Sequence, residues 1–384
     1  MEAAWFAIVS GMLAVYAVLD GFDLGVGIVH RLVARTDEER RTVLAAIGPV
    51  WDGNEVWLIA AGGVLFVAFP RVYATAFSGF YMALMVVLWL LILRGVAIEF
   101  RSHQDNLLWR EFWDTVFSAA SALLAVAFGT TLGNLVRGVP LGREGLHGMP
   151  LFTNFRPGRE PGILDWYTGL VGLFTLATLA GHGALYLVWR TDGPVRERSL
   201  GFARVTWKIA LVLWGGATAA TAWVRPDLFS GLGSRPWTIA FVALAMVGAW
   251  GALRFPSRGR ELAAFLASSA FLLGLVATAL AGNYPFWLRS TLDLSDSLTA
   301  TNSASAPQGL GVALAWWAVG ITLVAGYFTH LFRSVRGKIR PDDGPGPTAL
   351  PAVSTPREPA PHDPPVEARI PGRRGGDART SRNR

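Results

Sequence analysis

Residues 74–93 read ATAFSGFYMALMVVLWLLIL, a stretch without a single Asp, Glu, Lys or Arg. An uninterrupted apolar segment of about 20 residues is what a helix needs to cross the hydrocarbon core of a bilayer. Residues 209–224 and 309–329 are uncharged as well. Over all 384 residues, 52% are apolar and 16% are charged, against roughly 45–50% and 25% in soluble domains. The sequence therefore predicts a multi-pass membrane protein and excludes a series of soluble domains.

The fold class that we predict is all-α, a polytopic membrane helix bundle of about nine transmembrane helices within residues 1–340. The predicted spans are residues 3–29, 50–69, 74–98, 115–136, 163–189, 206–224, 237–254, 262–282 and 309–332. Fifteen Lys and Arg residues fall in one set of connecting loops and eight in the other. Because Lys and Arg accumulate in cytoplasmic loops, this bias predicts an outside N-terminus and a cytoplasmic C-terminus.

Residues 341–384 differ from the rest of the chain, with ten of the 22 prolines and very few large apolar side chains. Such a composition cannot bury enough apolar surface to fold, which predicts a disordered, Pro/Arg-rich cytoplasmic tail. A solvated tail is the favoured interpretation. The alternative is contact with anionic lipid through the arginines at positions 369, 373, 374, 379, 382 and 384.

The net charge of +7 and the pI near 10.2 do not indicate a nucleic-acid partner. Eleven basic residues lie beyond Thr329, and most of the others flank apolar spans, where membrane lipid and topology account for them. The chain has no cysteine, which excludes disulfides and thiolate metal sites. Histidines are few, and only His182 lies well inside a predicted span, so no metal site is expected.

The first predicted span contains two acidic residues, Asp20 and Asp23, which share one helical face because they are three residues apart. Asp23 precedes Arg31 by eight residues, about 12 Å of helix, which places its carboxylate inside the hydrocarbon. An ionisable group at that depth costs at least roughly 2.5–3.5 kcal/mol, so a functional role is the favoured explanation for Asp23.

The second predicted span opens with another acidic pair, Asp52 and Glu55. Acids in a first helical turn also suit the helix dipole, so capping is the structural alternative for these two. The functional interpretation is a carboxylate path that carries protons from the cytoplasm, since burial raises carboxyl pKa values towards neutrality.

Further charged residues follow on the same predicted side of the membrane. They are Arg94, Glu99, Arg101 and Asp114, and we predict that they form a polar cluster at the cytoplasmic side. The structural alternative is that Glu99 and the arginines extend towards the lipid headgroups as ordinary interfacial residues. From the residues alone, the sequence reaches a nine-helix protein with buried carboxylates on its cytoplasmic side.

Several motifs carry a family resemblance, and most of them lie in the first 140 residues. They are residues 20–27, 51–58, 69–74, 77–81, 94–101, 112–114 and 133–140. In order and spacing they resemble subunit II of the cytochrome bd quinol oxidases. Residues 160–340 agree with that family in the number and pattern of spans, whereas the segment after Pro341 looks like an addition.

The resemblance implies the non-haem subunit of a bacterial terminal oxidase in the cell membrane. Such an oxidase oxidises a quinol and reduces dioxygen to water. The haems, of types b and d, would be held mainly by subunit I, the implied partner, so little catalysis is expected from this chain alone. A small accessory membrane subunit and a structural quinone are left open. By position, Asp23 and Asp52 match the expected proton path, followed by Asp20 and Glu55, and Trp57 matches a residue near an oxygen route.

Two other functions compete with this one. A stand-alone proton-coupled transporter would use the same acids, but it would usually show related halves and broken helices, which the sequence does not indicate. A purely structural or assembly subunit would keep full turnover after Asp23→Asn and Asp52→Asn once the complex has assembled.

Overall fold

The computed structural model describes residues 1–143, 145–146, 148–335 and 337–339. In this part of the chain the architecture is helical throughout, with one small hairpin. The helices are α1 (Glu2–Val33), α2 (Asp37–Ile47), α3 (Trp51–Ala68), α4 (Pro70–Gly79), α5 (Tyr81–Phe100), α6 (Leu107–Arg137), α7 (Trp166–Arg190), α8 (Gly193–Val224), α9 (Pro226–Gly233), α10 (Ile239–Arg254), α11 (Glu261–Asn283) and α12 (Pro307–Ser334). Strands β1 (Phe286–Leu288) and β2 (Leu298–Thr299) pair antiparallel, with Phe286 opposite Thr299.

The all-α membrane bundle is confirmed. Within the described residues, seven helices are long and apolar enough to cross a membrane, and the pair α2 and α3, bent by 45° at a short break, would make eight. Helix α8 contains the predicted span 206–224 but is not among them. The count of nine spans and the orientation of the termini therefore stay predictions. The tail predicted for residues 341–384 lies outside the described residues.

Two helix starts differ from the sequence prediction. Helix α2 lies between the predicted spans 3–29 and 50–69, where no helix is predicted. It begins there because Thr36 and Glu39 form a capping box, with Glu39 Oε2 accepting from the Thr36 N–H at 3.2 Å. Asp114 directly precedes the predicted span 115–136 but lies about two turns inside α6. The cause is Asn106, whose side chain accepts from the Leu108 N–H at 2.8 Å and starts the helix earlier.

Helix α1 is the central helix and packs against α3, α6, α7 and α11. Its crossing with α7 depends on Gly25 and Gly183, because a Cβ atom on either residue would overlap backbone atoms of the other helix. At Gly27 a Cβ would overlap Ser121 of α6. Small residues thus allow the backbones to approach closely, as is typical of membrane helix packing.

The bundle has two ends that differ in construction. At the end where α1 begins, here the Trp5 end, the two long connections, residues 138–165 and 284–306, pack on one another. The Val139 N–H donates to the Arg289 carbonyl at 2.9 Å, and Ser290 Oγ donates to the Leu141 carbonyl at 2.6 Å. At the opposite end, here the His30 end, α1 finishes, α2 follows and contacts α1 and α7, and α6 begins.

Candidate functional site

A fully buried ion pair joins α1 to α5. Asp20 Oδ1 accepts a hydrogen bond from Arg94 Nη2 at 2.6 Å, and neither side chain has any exposed surface. The second carboxylate oxygen of Asp20 accepts from the Tyr16 hydroxyl at 2.8 Å. Both oxygens of Asp20 are therefore occupied, and the guanidinium of Arg94 neutralises its charge.

Asp23 lies one turn further along α1 and is bound more loosely. One of its oxygens, Oδ2, accepts from Asn54 Nδ2 at 2.7 Å, whereas Oδ1 has no hydrogen-bond partner among the described residues. The same holds, within that part of the chain, for Asn54 Oδ1 and for Arg94 Nε and Nη1. Buried polar atoms usually have partners, so this site combines charge with unused hydrogen-bonding capacity in the middle of an apolar bundle.

The start of α3 links this site to the surface. Asp52 is exposed, Asn54 is completely buried, and Glu55 is partly buried between these extremes. Glu55 also lies close enough to Arg94 and Asp20 to interact with their charges. The first turns of α3 therefore carry acidic and amide side chains from the surface to Asp23.

Trp57 lies on the next turn of α3 and is partly buried. Its indole faces α12, with its ring centroid 5.9 Å from that of Phe328. The indole Nε1 is buried and has no partner within the residues that the structure describes.

A second polar cluster, here the Asp114 network, closes the His30 end. Asp114 is buried and accepts hydrogen bonds from Arg101 Nε at 2.6 Å and from Arg40 Nη1 at 3.1 Å. It also pairs with His30, whose Nε2 is 2.7 Å from the carboxylate. Arg101 also donates to Asp37 at 2.8 Å. These contacts hold α1, α2, α5 and α6 together, so the role of the Asp114 network is structural.

The structure thus divides the polar cluster that the sequence analysis grouped together. Arg101 and Asp114 lie in the Asp114 network, Arg94 lies with Asp20 inside the bundle, and Glu99 is exposed at the surface. Tyr16 and Asn54 are site residues that were not predicted from the sequence. The spacing of Tyr16 four residues before Asp20 was an available signal, but nothing in the sequence indicated that the Asn54 amide would point at Asp23.

His182 does not fit the role of a haem ligand. It is fully buried, and its Nδ1 lies 2.7 Å from Ser268 Oγ and its Nε2 3.1 Å from the Val18 carbonyl oxygen. Both ring nitrogens therefore already have protein partners. Among the described residues, no group of three His, Cys, Asp or Glu side chains could hold a metal ion.

The fold and the site together define a polytopic helical membrane protein that keeps two carboxylates and an arginine inside its bundle. Residues 1–335 match the family model described as "Cytochrome bd terminal oxidase subunit II". The chain belongs to this family, and the resemblance found in the sequence is confirmed.

Known relatives agree with that assignment. The chain is 31% identical to "Cytochrome bd-I ubiquinol oxidase subunit 2" of Escherichia coli strain K12, over 88% of this chain and 95% of the relative. It is 30% identical to "Cytochrome bd ubiquinol oxidase subunit 2" of Bacillus subtilis strain 168, over 80% and 88%. A solved structure, "The structure of bd oxidase from Geobacillus thermodenitrificans", has a chain with the same fold, at a TM-score of 0.66 and 17% identity, covering 86% of this chain and 97% of that one.

Family membership settles the coarser expectations. The chain is a membrane protein of the respiratory oxidoreductase class, a subunit of a quinol oxidase, and the transporter alternative is not favoured.

Proposed function

We propose that this chain is the non-haem subunit of a quinol:oxygen oxidoreductase and that it carries protons from the His30 end into the complex through Asp52, Glu55 and Asp23. Subunit I would be the partner that holds haem b and haem d, and the haems would supply the electron transfer and dioxygen reduction. A quinol would be the substrate of the complex. The orientation predicted from the loop charges makes the His30 end cytoplasmic.

One observation carries the proton path. Asp23 is a fully buried carboxyl group with one oxygen held by Asn54 and the other without a partner among the described residues. A group that exchanges protons needs a lone pair that is free to accept one, and burial favours the neutral form that a carrier must adopt. Asp23 meets both conditions.

Asp20 is equally buried but fails the first condition, which separates two acids that the sequence placed together. Its oxygens both accept hydrogen bonds, one from Arg94 and the other from Tyr16, so neither oxygen is left without a partner. We assign Asp20 a positioning role: with Arg94 it fixes α1 against α5 and keeps a positive charge beside Asp23.

The face formed by α3, α5 and α12 is the surface that we assign to subunit I. In the most apolar stretch of each helix, only 11% of the residues of α5 and 6% of those of α12 are buried within this chain. The corresponding share for α7 is 78%. Asp52 of α3 and Glu99 of α5 are both exposed. Charged side chains are costly against lipid, so a protein partner suits this face better than acyl chains do. Trp57, between α3 and α12, is the residue that we assign to an oxygen route at this interface.

The test is Asp23→Asn and Asp52→Asn in the assembled complex, with quinol-driven oxygen consumption measured beside haem content from reduced-minus-oxidised spectra. Asp23→Asn should slow turnover by at least about tenfold, because acid–base groups typically contribute 10²–10⁴-fold. Asp52→Asn should have a smaller effect, because Asp52 is exposed and water can bring protons to Glu55 in its place. Haem content should stay normal in both variants.

Asp105→Asn is the matched control, because Asp105 is an exposed acid at the same end of the bundle, with 94% of its side chain accessible. It should leave turnover unchanged. Full turnover in both Asp23→Asn and Asp52→Asn would refute the proton path. Loss of haem in step with activity would instead support the purely structural role.

A further inference from the structure

A basic cavity lies at the Trp5 end, far from the site around Asp23. It has a volume of about 570 Å³ and lies where α6 and α8 end and the two long connections meet. Three arginines line it, Arg137, Arg159 and Arg289, together with Thr291 and Trp223, and none of the described lining residues is an acid. A cavity of this size is within the range of about 300–1,000 Å³ that holds small-molecule ligands, and it is larger than a single small anion requires.

The positive charge in the cavity is only partly balanced by the protein. Arg137 forms a buried ion pair with Asp165 and donates to Asn134 Oδ1 at 2.5 Å, so its charge is neutralised from behind. Arg159 is exposed, and the loop that carries it is held in place by Thr291 Oγ1, which donates to its carbonyl oxygen at 2.7 Å. Arg159 has Asp293 within electrostatic range, but Asp293 shares that interaction with Arg143.

Arg289 is partly buried and only weakly compensated. Its Nε is buried and has no hydrogen-bond partner among the described residues, and the nearest acid, Asp227, is 3.8 Å away. Both oxygens of Asp227 already accept hydrogen bonds from Arg225, at 3.0 and 2.9 Å. Burial and the neighbouring charge of Arg225 lower the pKa of Arg289, and Asp227 opposes them only in part. The cavity therefore favours an anion.

The surroundings of the cavity place it at the membrane surface. Trp223 lies in the last turn of α8 with 73% of its surface exposed, and its ring centroid is 5.6 Å from that of Trp166, the first residue of α7. Exposed tryptophans at the ends of transmembrane helices are typical of the headgroup layer. A ligand here meets arginines on one side and an exposed aromatic surface, next to acyl chains, on the other.

We propose that this cavity binds the phosphodiester headgroup of an anionic phospholipid. Arg289 and Arg159 hold the phosphate oxygens, Thr291 keeps the loop of Arg159 in place, and Trp223 packs against the glycerol and the first part of an acyl chain. Free inorganic phosphate shares the anionic chemistry but would leave most of the volume and the Trp223 surface unused. The inference is independent of the proton path.

The experiment is native mass spectrometry on the full-length chain, purified in mild detergent with the subunits that accompany it. The sample is delipidated and then offered equal amounts of phosphatidylglycerol and phosphatidylcholine. The wild type should retain phosphatidylglycerol in preference. Each arginine removed should weaken retention about fivefold, in line with the usual contribution of a basic residue at an anionic membrane surface. We expect that loss for Arg159→Gln and a loss of about 25-fold for Arg159→Gln combined with Arg289→Gln.

Arg156→Gln is the matched control, because Arg156 is exposed in the same connection but does not line the cavity. It should retain phosphatidylglycerol like the wild type. Arg289→Lys keeps the charge and should retain most of the binding, which separates loss of the site from misfolding. Arg159→Gln removes an exposed side chain and does not threaten the fold.

Three outcomes would overturn the proposal. The first is equal retention of phosphatidylglycerol and phosphatidylcholine by the wild type. The second is an equal loss of retention in Arg156→Gln and in Arg159→Gln, which would indicate a diffuse charge effect. The third comes from adding millimolar inorganic phosphate: if it displaces the lipid and raises the melting temperature as much as phosphatidylglycerol does, the cavity is a site for a free anion.

Discussion

Arg94 on α5 and Asp20 on α1 form an ion pair with no exposed surface on either side chain, and their nearest atoms are 2.6 Å apart. Burying two opposite charges costs their hydration energy, and the attraction between them roughly offsets that cost. The pair as a whole therefore stabilises the fold little. Each charge alone, however, would be very costly. The pair therefore acts as a specific link between α1 and α5, a helix that has few other buried residues.

This link predicts a strongly non-additive mutational cycle. Arg94→Gln and Asp20→Asn should each lower the free energy of unfolding by about 3–5 kcal/mol, because each leaves an unpaired buried charge. The combination of the two should be less damaging than the sum, since no charge remains. Thermal unfolding followed by tryptophan fluorescence measures all three variants, with Arg204→Gln, an exposed arginine on α8, as the control. Additive losses would contradict the direct pairing.

The crossing of α1 and α7 gives a prediction about shape alone. Gly25→Ala and Gly183→Ala should each destabilise the chain by several kcal/mol or prevent its accumulation, because the added Cβ overlaps backbone atoms of the facing helix. Gly201→Ala on α8 is the control, since a Cβ there meets nothing within 4 Å. It should be neutral or slightly stabilising, because alanine favours a helix more than glycine does. Normal expression and melting temperature of Gly25→Ala would show that the helices can separate at this point.

Much of the fold was predictable, because apolar length is a direct consequence of bilayer thickness. Eight of the nine predicted spans fall mainly on one helix each, whereas residues 74–98 cross the break at Phe80 between α4 and α5. Asp23 is fully buried, in agreement with the predicted buried carboxylates. The features that were not predicted depend on local capping and on tertiary contacts. The capping box at Thr36 was a readable signal for α2 that composition alone obscured. The pairing of Arg94 with Asp20, rather than with Glu99 or Asp114, depends on how α5 is rotated against α1, and no spacing along one helix reports that.

Asp227 gives a prediction about pH. Burial is the largest single influence on its pKa and raises it, but the hydrogen bonds and the charge of Arg225, with help from Arg289, together outweigh burial and hold the pKa below its ordinary value. A carboxyl group of this kind stabilises the folded state above its unfolded pKa, about 3.9, and this stabilisation is lost as the pH falls through the lower folded value. Because half of the Asp227 side chain is exposed, the effect should stay below about 1 kcal/mol.

The measurement compares the melting temperatures of the wild type and Asp227→Asn between neutral and acidic pH. The variant should melt slightly lower at pH 7, and the difference should close as the pH falls below about 4. Asp105→Asn, which removes a nearly fully exposed acid paired with Arg110, serves for comparison. A difference that widens on acidification would mean that Asp227 is more acidic in the unfolded chain and that the Arg225 contact does not stabilise its charge.

The face of α3, α5 and α12 predicts which exposed tryptophans contribute to assembly. Trp89 on α5 and Trp316 on α12 are 63% and 73% exposed, and Trp250 on α10 is 52% exposed. If the first two pack against subunit I, each change to alanine should weaken assembly by about 2–4 kcal/mol, which is typical of tryptophans at the centre of an interface. Co-purification of the two subunits over a detergent series, with haem content as a second readout, would show this as earlier dissociation. Trp250→Ala should behave like the wild type, because α10 would face lipid on that side. Equal sensitivity of all three variants would mean that the partner covers α10 as well, and that the sparse burial of α5 and α12 does not mark the interface.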